Sequence, residues 1–363
     1  MKAKTLKRFL ITFSVIVAFS YVVILACTGE DWGWFGYSNF SPEPFADKSY
    51  SPLFYEPYEM FYGIGHDDSY ANRFNDEITS EWLSYCGAIL KKNQLEWFLL
   101  NDSSIKEISD LFAYQTSKQS NVSVNKWTGK INLQDQKIKD FIEFMYYAKK
   151  VENSSVSYYD PWNYEETAKP AKTDSKLTNQ LLKKYQTVND PFLKNRYWFQ
   201  YSKALFYSDN PNNLIAFFNE SKNNVPKNTL YYRVLSYVAG LYYKNKDFAR
   251  ANYFFSIVFD NCVQLRVVSA YNFHPQEESD WQKSLQMAVS NDEKAALWAL
   301  FGYYADTERA IEEIYKLNPK NKHLDYLVTR VVNKTEETSQ TEIKESVSSY
   351  KSDLKKKIDS NVL

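Results

Sequence analysis

Apolar residues recur three and four positions apart through most of the chain beyond residue 76. In the stretch 133–151, the apolar positions are Ile138, Phe141, Ile142, Met145 and Ala148. This spacing places the five side chains in one stripe along an α-helix, with charged residues on the opposite face. Short helices of this kind, joined by short polar turns, are predicted from about residue 76 to 333. The pattern therefore predicts an all-α fold.

Several helix starts are marked by capping signals. A capping acceptor stands before a proline at the predicted first helical position in Asp190–Pro191 and Asn210–Pro211. Capping boxes, in which a serine is followed three residues later by a glutamate, are predicted at Ser104 with Glu107 and Ser290 with Glu293. Both signals provide acceptors for the backbone N–H groups that the first turn of a helix leaves without partners.

Glycine is scarce in the later part of the sequence. After residue 100 the chain contains only Gly129, Gly240 and Gly302. Phosphate-binding loops and tight β-hairpins both depend on glycine, because it adopts positive φ angles and allows close approach of the backbone. The later two thirds of the chain therefore cannot form a nucleotide-binding fold or a sheet rich in hairpins.

A repeated motif predicts how the helices are arranged. One unit consists of Leu235, Val238, Ala239, Tyr242, Ala251 and Phe255. It resembles the tetratricopeptide repeat (TPR), a helix–turn–helix unit of about 34 residues. One repeat length upstream, the alanine and tyrosine spacing recurs in Ala204, Tyr207 and Ala216. Alanines at the crossing would let paired helices approach closely, while Tyr242 and Phe255 fill the space beside them.

A third, compressed copy follows after an interruption at 263–280. Its positions are Leu297, Leu300, Phe301, Tyr304, Ala310, Ile314 and Pro319. One helix pair cannot bury its own apolar face, so several units must stack. The resemblance therefore implies a TPR-like α-solenoid of antiparallel helix pairs.

Changes in composition divide the chain into six predicted segments. They are a signal peptide or membrane anchor (1–26), an extended aromatic-rich segment (27–75), an N-terminal helical subdomain (76–151), a connecting loop (152–172), the TPR-like repeats (173–334), and a polar tail that is either a solvated helix or disordered (335–363).

The N-terminus resembles a bacterial lipoprotein signal. A basic start is followed by an apolar run from Phe9 to Leu25 and then by Ala26–Cys27. The resemblance implies that Cys27 is lipidated and becomes the mature N-terminus, which would place the protein in the cell envelope, at the outer membrane. An uncleaved anchor and plain secretion are the alternatives, since the run is long for a cleaved signal and short for a spanning helix.

Aromatic residues are dense between 28 and 62 and again around Trp162. Prolines within the first of these stretches exclude a long helix, so it either wraps the helical body or presents its rings to a partner. Exposed rings stack on sugars and anchor protein interfaces. Trp32, Trp34 and Trp162 are therefore candidate binding residues.

Charge and chemistry exclude other function classes. The 44 basic and 44 acidic residues balance, whereas a nucleic-acid-binding protein needs a basic surface. Cys86 and Cys262 fall in apolar helical patterns, which favours buried free thiols, although an exporting compartment also permits a disulfide between them. The three histidines lie far apart and outside known catalytic motifs. No enzymatic activity, cofactor or metal site is predicted.

Two hypotheses follow. The first is a membrane-tethered lipoprotein that acts as a TPR-like scaffold for an envelope protein or peptide. The second is a glycan-binding lipoprotein similar in outline to the SusD-like family. In the first case Tyr207, Tyr242 and Tyr243 are candidates for lining the binding groove, although tyrosines of such repeats also serve as core residues, and that interpretation is favoured.

Overall fold

The computed structural model describes residues 72–117, 131–155, 172–332 and 335. Within these ranges the secondary structure is helical and contains no β-strand. The α-helices are α1 (Asn75–Cys86), α2 (Lys92–Leu100), α3 (Ser104–Ser117), α4 (Gln136–Asn153), α5 (Ser175–Thr187), α6 (Pro191–Phe206), α7 (Asn213–Ser221), α8 (Thr229–Lys244), α9 (Phe248–Asn261), α10 (Arg266–Tyr271), α11 (Glu278–Met287), α12 (Asn291–Tyr304), α13 (Thr307–Leu317) and α14 (323–332). The predicted all-α class is confirmed.

Helix α4 agrees closely with its predicted apolar stripe. Ile138, Phe141, Ile142 and Met145 are buried, and Ala148 is partly buried. The helix packs in a first core that draws on α1 to α6. Trp82 lies at the centre of that core, with its ring 5.0 Å from the ring of Phe141. The stripe therefore predicted both the helix and the face that it buries.

A second core is formed by α6, α7, α8 and α9 around Trp198. The indole of Trp198 is fully buried, and its Nε1 donates a hydrogen bond of 2.8 Å to Ser221 Oγ. The adjacent residue Tyr197 belongs to the first core instead. Because consecutive residues of α6 face two different cores, this helix joins them.

The strongest repeat unit forms the pair α8 and α9. Ala239 and Ala251 are completely buried and cluster with Phe255, while Tyr242 packs beside them. Between the helices, Lys246 adopts a left-handed φ of 63°, and Asp247 caps α9 by accepting a hydrogen bond from the Arg250 N–H. The expected contact of small residues at the helix crossing is therefore present in this pair.

The upstream unit differs from its expected packing. Ala204 is buried, but Ala216 is exposed on α7. Helix α7 instead packs through Leu214 and Phe218. The expectation that Ala216 lies at a helix crossing is wrong, because the short helix α7 turns a different face to its neighbours.

In the C-terminal part, α9, α11, α12, α13 and α14 surround a third core that contains Trp281. Gly302 of α12 lies against Ala310 of α13, and a Cβ added at Gly302 would stand 2.5 Å from the Ala310 Cβ. This helix pair is therefore also closed by two small residues. The residues of the interruption, 263–280, contribute a 3₁₀ turn and α10.

Two predicted helix starts are confirmed. Asp190 accepts a hydrogen bond from the Leu193 N–H with Pro191 at the first position, and Ser290 accepts one from the Glu293 N–H. The Glu293 carboxylate accepts from the Val289 N–H and not from the Ser290 N–H, so the reciprocal bond of the predicted capping box is replaced by one to the preceding residue.

The start predicted at Asn210 is wrong, whereas α3 begins at Ser104 as predicted but without the predicted capping box. Helix α7 begins three residues beyond Asn210, because residues 211 and 212 first form a turn and the Leu214 N–H donates to the Pro211 carbonyl. At Ser104 the hydroxyl donates to the carbonyls of Phe98 and Asn101 and does not cap the helix. The Glu107 carboxylate accepts from Trp97 Nε1, 2.9 Å away.

Several sequence predictions fall outside the described residues. They concern Cys27, Trp32, Trp34 and Trp162, the segment 1–26 and the aromatic stretch 28–62. Among the helices of the described ranges, none has the length and apolarity required to cross a bilayer. Cys86 and Cys262 do lie within these ranges, and both are buried free thiols, as predicted.

Candidate functional site

Five helices converge on a cavity of about 150 Å³ in the N-terminal half of the described structure. It lies between α1, α2, α4, α6 and α8. Much of its wall is apolar, contributed by Trp82, Leu99, Phe144, Met145 and Phe199. The cavity also has an unusual concentration of positive charge.

Four basic side chains line this cavity, and two of them have carboxylate partners. Lys149 is almost completely buried and lies 2.9 Å from the Glu152 carboxylate. Arg196, also buried, forms an ion pair with Glu81 and stacks over the ring of Phe192. About a third of each glutamate side chain is exposed, so the two carboxylates lie on the solvent side of their pairs.

Lys203 and Arg233 complete the basic set, and neither forms an ion pair with a described residue. The Arg233 guanidinium lies between two rings, 4.1 Å from the centroid of Phe74 and 4.4 Å from that of Phe199. Burial, together with the positive charges of Arg233 and Lys149, lowers the pKa of Lys203 to about 8 against the opposing effect of Glu152. The cavity therefore carries positive charge beyond what its carboxylates balance.

A second, larger depression of about 720 Å³ lies between the α7–α8 connection, α8, α9 and the start of α12. We call it the tyrosine groove. Five aromatic residues line it, the buried Phe218 and four others, Tyr231, Tyr232, Tyr253 and Phe254. Tyr231 is buried as well, whereas Tyr232, Tyr253 and Phe254 are partly exposed. Rings that are held by the core yet remain accessible are suited to contact a partner.

Charges of opposite sign enter the tyrosine groove from different elements. Lys222 and Lys227 come from the α7–α8 connection, and Asp292 and Glu293 come from the start of α12. The Tyr253 hydroxyl lies 3.1 Å from Glu293 Oε2. The groove therefore offers apolar surface together with separate basic and acidic contacts.

Asp260 contributes a further carboxylate to the groove. Its Oδ1 lies 2.9 Å from His323 Nε2 and 2.6 Å from Lys322 Nζ. Burial alone would raise the pKa of Asp260, but the hydrogen bonds from His323 and Lys322 outweigh burial and hold the pKa below its usual value. Burial lowers the pKa of His323 despite its hydrogen bond to Asp260. This network ties α14 to the end of α9.

The tyrosines predicted from the repeat motif line neither the cavity nor the groove. Tyr207 and Tyr242 are half-buried and pack against Phe206 and Phe254. Tyr243 is 36% exposed beside Phe248, so the interpretation of all three as core residues does not hold for it. The structure does not bring the three tyrosines together into one site.

Sequence reasoning missed the basic cavity, although a signal was present. On α6, Arg196, Gln200 and Lys203 are spaced by four and three residues, which places them on one helix face. On α4, Lys149 follows the buried Met145 by one turn. Basic residues in register with an apolar stripe are the pattern that would have indicated buried charge.

Comparison with protein-family models, with curated proteins and with solved structures gave no match for this chain. Within the described residues, no group of three or more histidine, cysteine, aspartate or glutamate side chains is arranged to hold a metal ion. The cavity and the tyrosine groove are therefore the two candidate binding sites of the described structure.

Proposed function

We propose that this protein is a membrane-tethered lipoprotein of the cell envelope that binds an extended segment of another protein in the tyrosine groove. The observation that carries the proposal is the groove itself, in which partly exposed aromatic rings lie beside charges of both signs. Aromatic side chains supply large contact area at small entropic cost and are enriched where proteins meet.

The chemistry of the groove favours one kind of segment. An apolar or aromatic side chain of the partner would lie among Tyr232, Tyr253 and Phe254. An acidic residue on one side of it would face Lys222 and Lys227, and a basic residue on the other would face Asp292 and Glu293. Opposite charges placed in this way fix the direction of a bound chain more than they add affinity.

The TPR resemblance supports the same proposal. The helices that frame the groove include α8 and α9, the pair whose alanine contacts fit the repeat motif. In a TPR-like scaffold, stacked helix pairs present surfaces of this kind to peptides. The glycan-binding alternative depends on Trp32, Trp34 and Trp162, which lie outside the described residues. We favour a protein partner because the groove places charges of both signs beside its aromatic rings.

Peptide binding by the full chain tests this proposal. The probes are labelled peptides in which an aromatic residue separates an acidic from a basic flank, and their affinity is measured by fluorescence anisotropy. We expect Lys227→Glu to weaken binding about tenfold, since it places like charge against the acidic flank. Lys227 is exposed, so the fold should tolerate the change.

The matched control is Lys106→Glu, which reverses an equally exposed charge on α3, outside the groove lining. It should leave peptide affinity unchanged. Equal affinity of Lys227→Glu and wild type, or binding of oligosaccharides in place of every peptide, would count against the protein-binding proposal.

A further inference from the structure

We propose that the basic cavity between α1, α2, α4, α6 and α8 binds a small organic carboxylate with a flat apolar body, whose carboxylate is held by Lys203 and Arg233. The cavity and the tyrosine groove share no lining residue. The inference is therefore independent of the proposed function and adds a small-molecule site to it.

The charge balance of the cavity indicates an anion. Its lining contains Lys149, Arg196, Lys203 and Arg233 but only two carboxylates, Glu81 and Glu152. Both carboxylates are engaged, with Arg196 and Lys149 respectively. Lys203 and Arg233 are partly buried, and neither forms an ion pair with a described carboxylate. Partial burial of a charge is costly, and a bound anion would offset that cost.

The remaining polar groups at the cavity are also incompletely satisfied. Lys149 Nζ is close to Glu152, yet it has no hydrogen bond of good geometry within the described structure. The side-chain oxygen of Gln200 is buried there and likewise accepts no hydrogen bond. Since the two ends of a glutamine amide can exchange places by a flip, Gln200 can also present its NH₂ group to an anion.

The size and the walls of the cavity indicate the rest of the ligand. A cavity of roughly 150 Å³ with apolar walls accommodates a single benzene ring. Trp82, Phe144 and Phe199 contribute aromatic surface to the cavity wall, and Leu99 and Met145 contribute aliphatic surface. A fully hydrated ion such as inorganic phosphate would leave these apolar walls without a partner.

Binding of a carboxylate should depend on pH through Lys203. The charged groups that line the cavity with Lys203 are Glu81 of α1, Lys149 and Glu152 of α4, Arg196 of α6 and Arg233 of α8. In the empty cavity the pKa of Lys203 is about 8. Because a carboxylate favours the protonated amine, affinity should be full at neutral pH and fall as the pH rises above that value.

The test is calorimetric titration of the full chain with benzoate as the probe. Two further probes separate the contribution of the charge to affinity from that of the ring. Benzamide keeps the ring without the charge, and inorganic phosphate keeps charge without the ring. We expect benzoate to bind at least about tenfold more tightly than either, since a charge-assisted contact to a buried amine is lost with benzamide and the ring contacts are lost with phosphate.

Lys203→Met removes the amine and keeps a chain of similar shape, so we expect benzoate affinity to fall about tenfold or more. The control is Lys194→Met, on the same helix but exposed. Circular dichroism checks that both variants fold. If Lys203→Met does not fold, the comparison of the three probes and the fall of benzoate affinity above about pH 8 in the wild type still decide the question.

Three outcomes would overturn the proposal. They are equal binding of benzoate and benzamide, unchanged benzoate affinity in folded Lys203→Met, and binding of phosphate without benzoate. In the last case the cavity would be a site for inorganic anions. A further variant, Lys227→Glu, should leave benzoate affinity unchanged. If it abolished benzoate binding, benzoate would be bound in the tyrosine groove and the proposal would also be overturned.

Discussion

At the scale of single residues, tolerance to substitution depends on the space beside each backbone position. Gly302 and Ala310 illustrate this, because a single added methyl group on the glycine would overlap its neighbour. Gly240 is the informative contrast, since it also lies within a helix but has open space where a Cβ would point. Replacing glycine by alanine should therefore have opposite effects on stability in α8 and in α12.

Gly302→Ala should lower the free energy of unfolding by about 1–3 kcal/mol, because the methyl group must displace Ala310 and Leu327. Gly240→Ala should raise it by about 0.5–1 kcal/mol, because alanine loses less backbone entropy in a helix. Urea denaturation followed by circular dichroism measures both values. A stabilising Gly302→Ala would show that the two helices separate there easily.

The lowered pKa of the buried His323 side chain indicates how the free energy of unfolding depends on pH. Since burial holds its pKa below the ordinary value of about 6.5, the unfolded chain takes up a proton before the folded chain does as the pH falls. Stability should therefore decrease on acidification through that value. The Asp260 carboxylate has a lowered pKa as well, so its own contribution is lost only at more acidic pH.

The measurement is urea denaturation at about pH 7.5 and about pH 5.5. The loss of stability between the two should be smaller in His323→Gln than in wild type. His274→Gln replaces an exposed histidine and should behave as wild type. An equal pH dependence of wild type and His323→Gln would mean that other groups determine the acid response.

At the scale of helices, the accuracy of sequence reasoning depended on whether the signal was local. The stripe of α4 and the Asp190 cap were predictable because each involves residues within one or two turns of a helix. Ala216 was misinterpreted because its spacing matches the motif, while burial depends on how the short α7 is oriented. The cavity was missed because Lys203 meets Arg233 only through tertiary packing.

The packing at the crossing of α8 and α9 can be tested by comparing substitutions at Ala251, which is buried there, and at Ala216, which is exposed. Ala251→Leu should destabilise the protein by about 1–3 kcal/mol, because no space is left at the fully buried crossing. Ala216→Leu, on exposed surface, should change stability by less than about 0.5 kcal/mol. Thermal or urea unfolding measures both stability changes. Similar destabilisation by the two substitutions would indicate that Ala216 also lies at a helix crossing.

At the scale of the whole molecule, the proposed location depends on a single residue. Cys27 lies outside the described residues, so its role rests on the sequence pattern around it. Metabolic labelling with a palmitate analogue should mark the wild type and not Cys27→Ala, because only the thiol at that position would carry the lipid. Labelling that persists in Cys27→Ala would contradict the lipoprotein proposal.

Helix α9 shows how the parts of the described structure depend on one another. Val258 belongs to the second core and the next residue, Phe259, belongs to the third. Denaturing either region would leave one flank of α9 exposed to water, so neither region can melt without weakening the other. Because Val258 and Phe259 are adjacent in the chain, the unfolding of one core is coupled to the unfolding of the other through the backbone of α9.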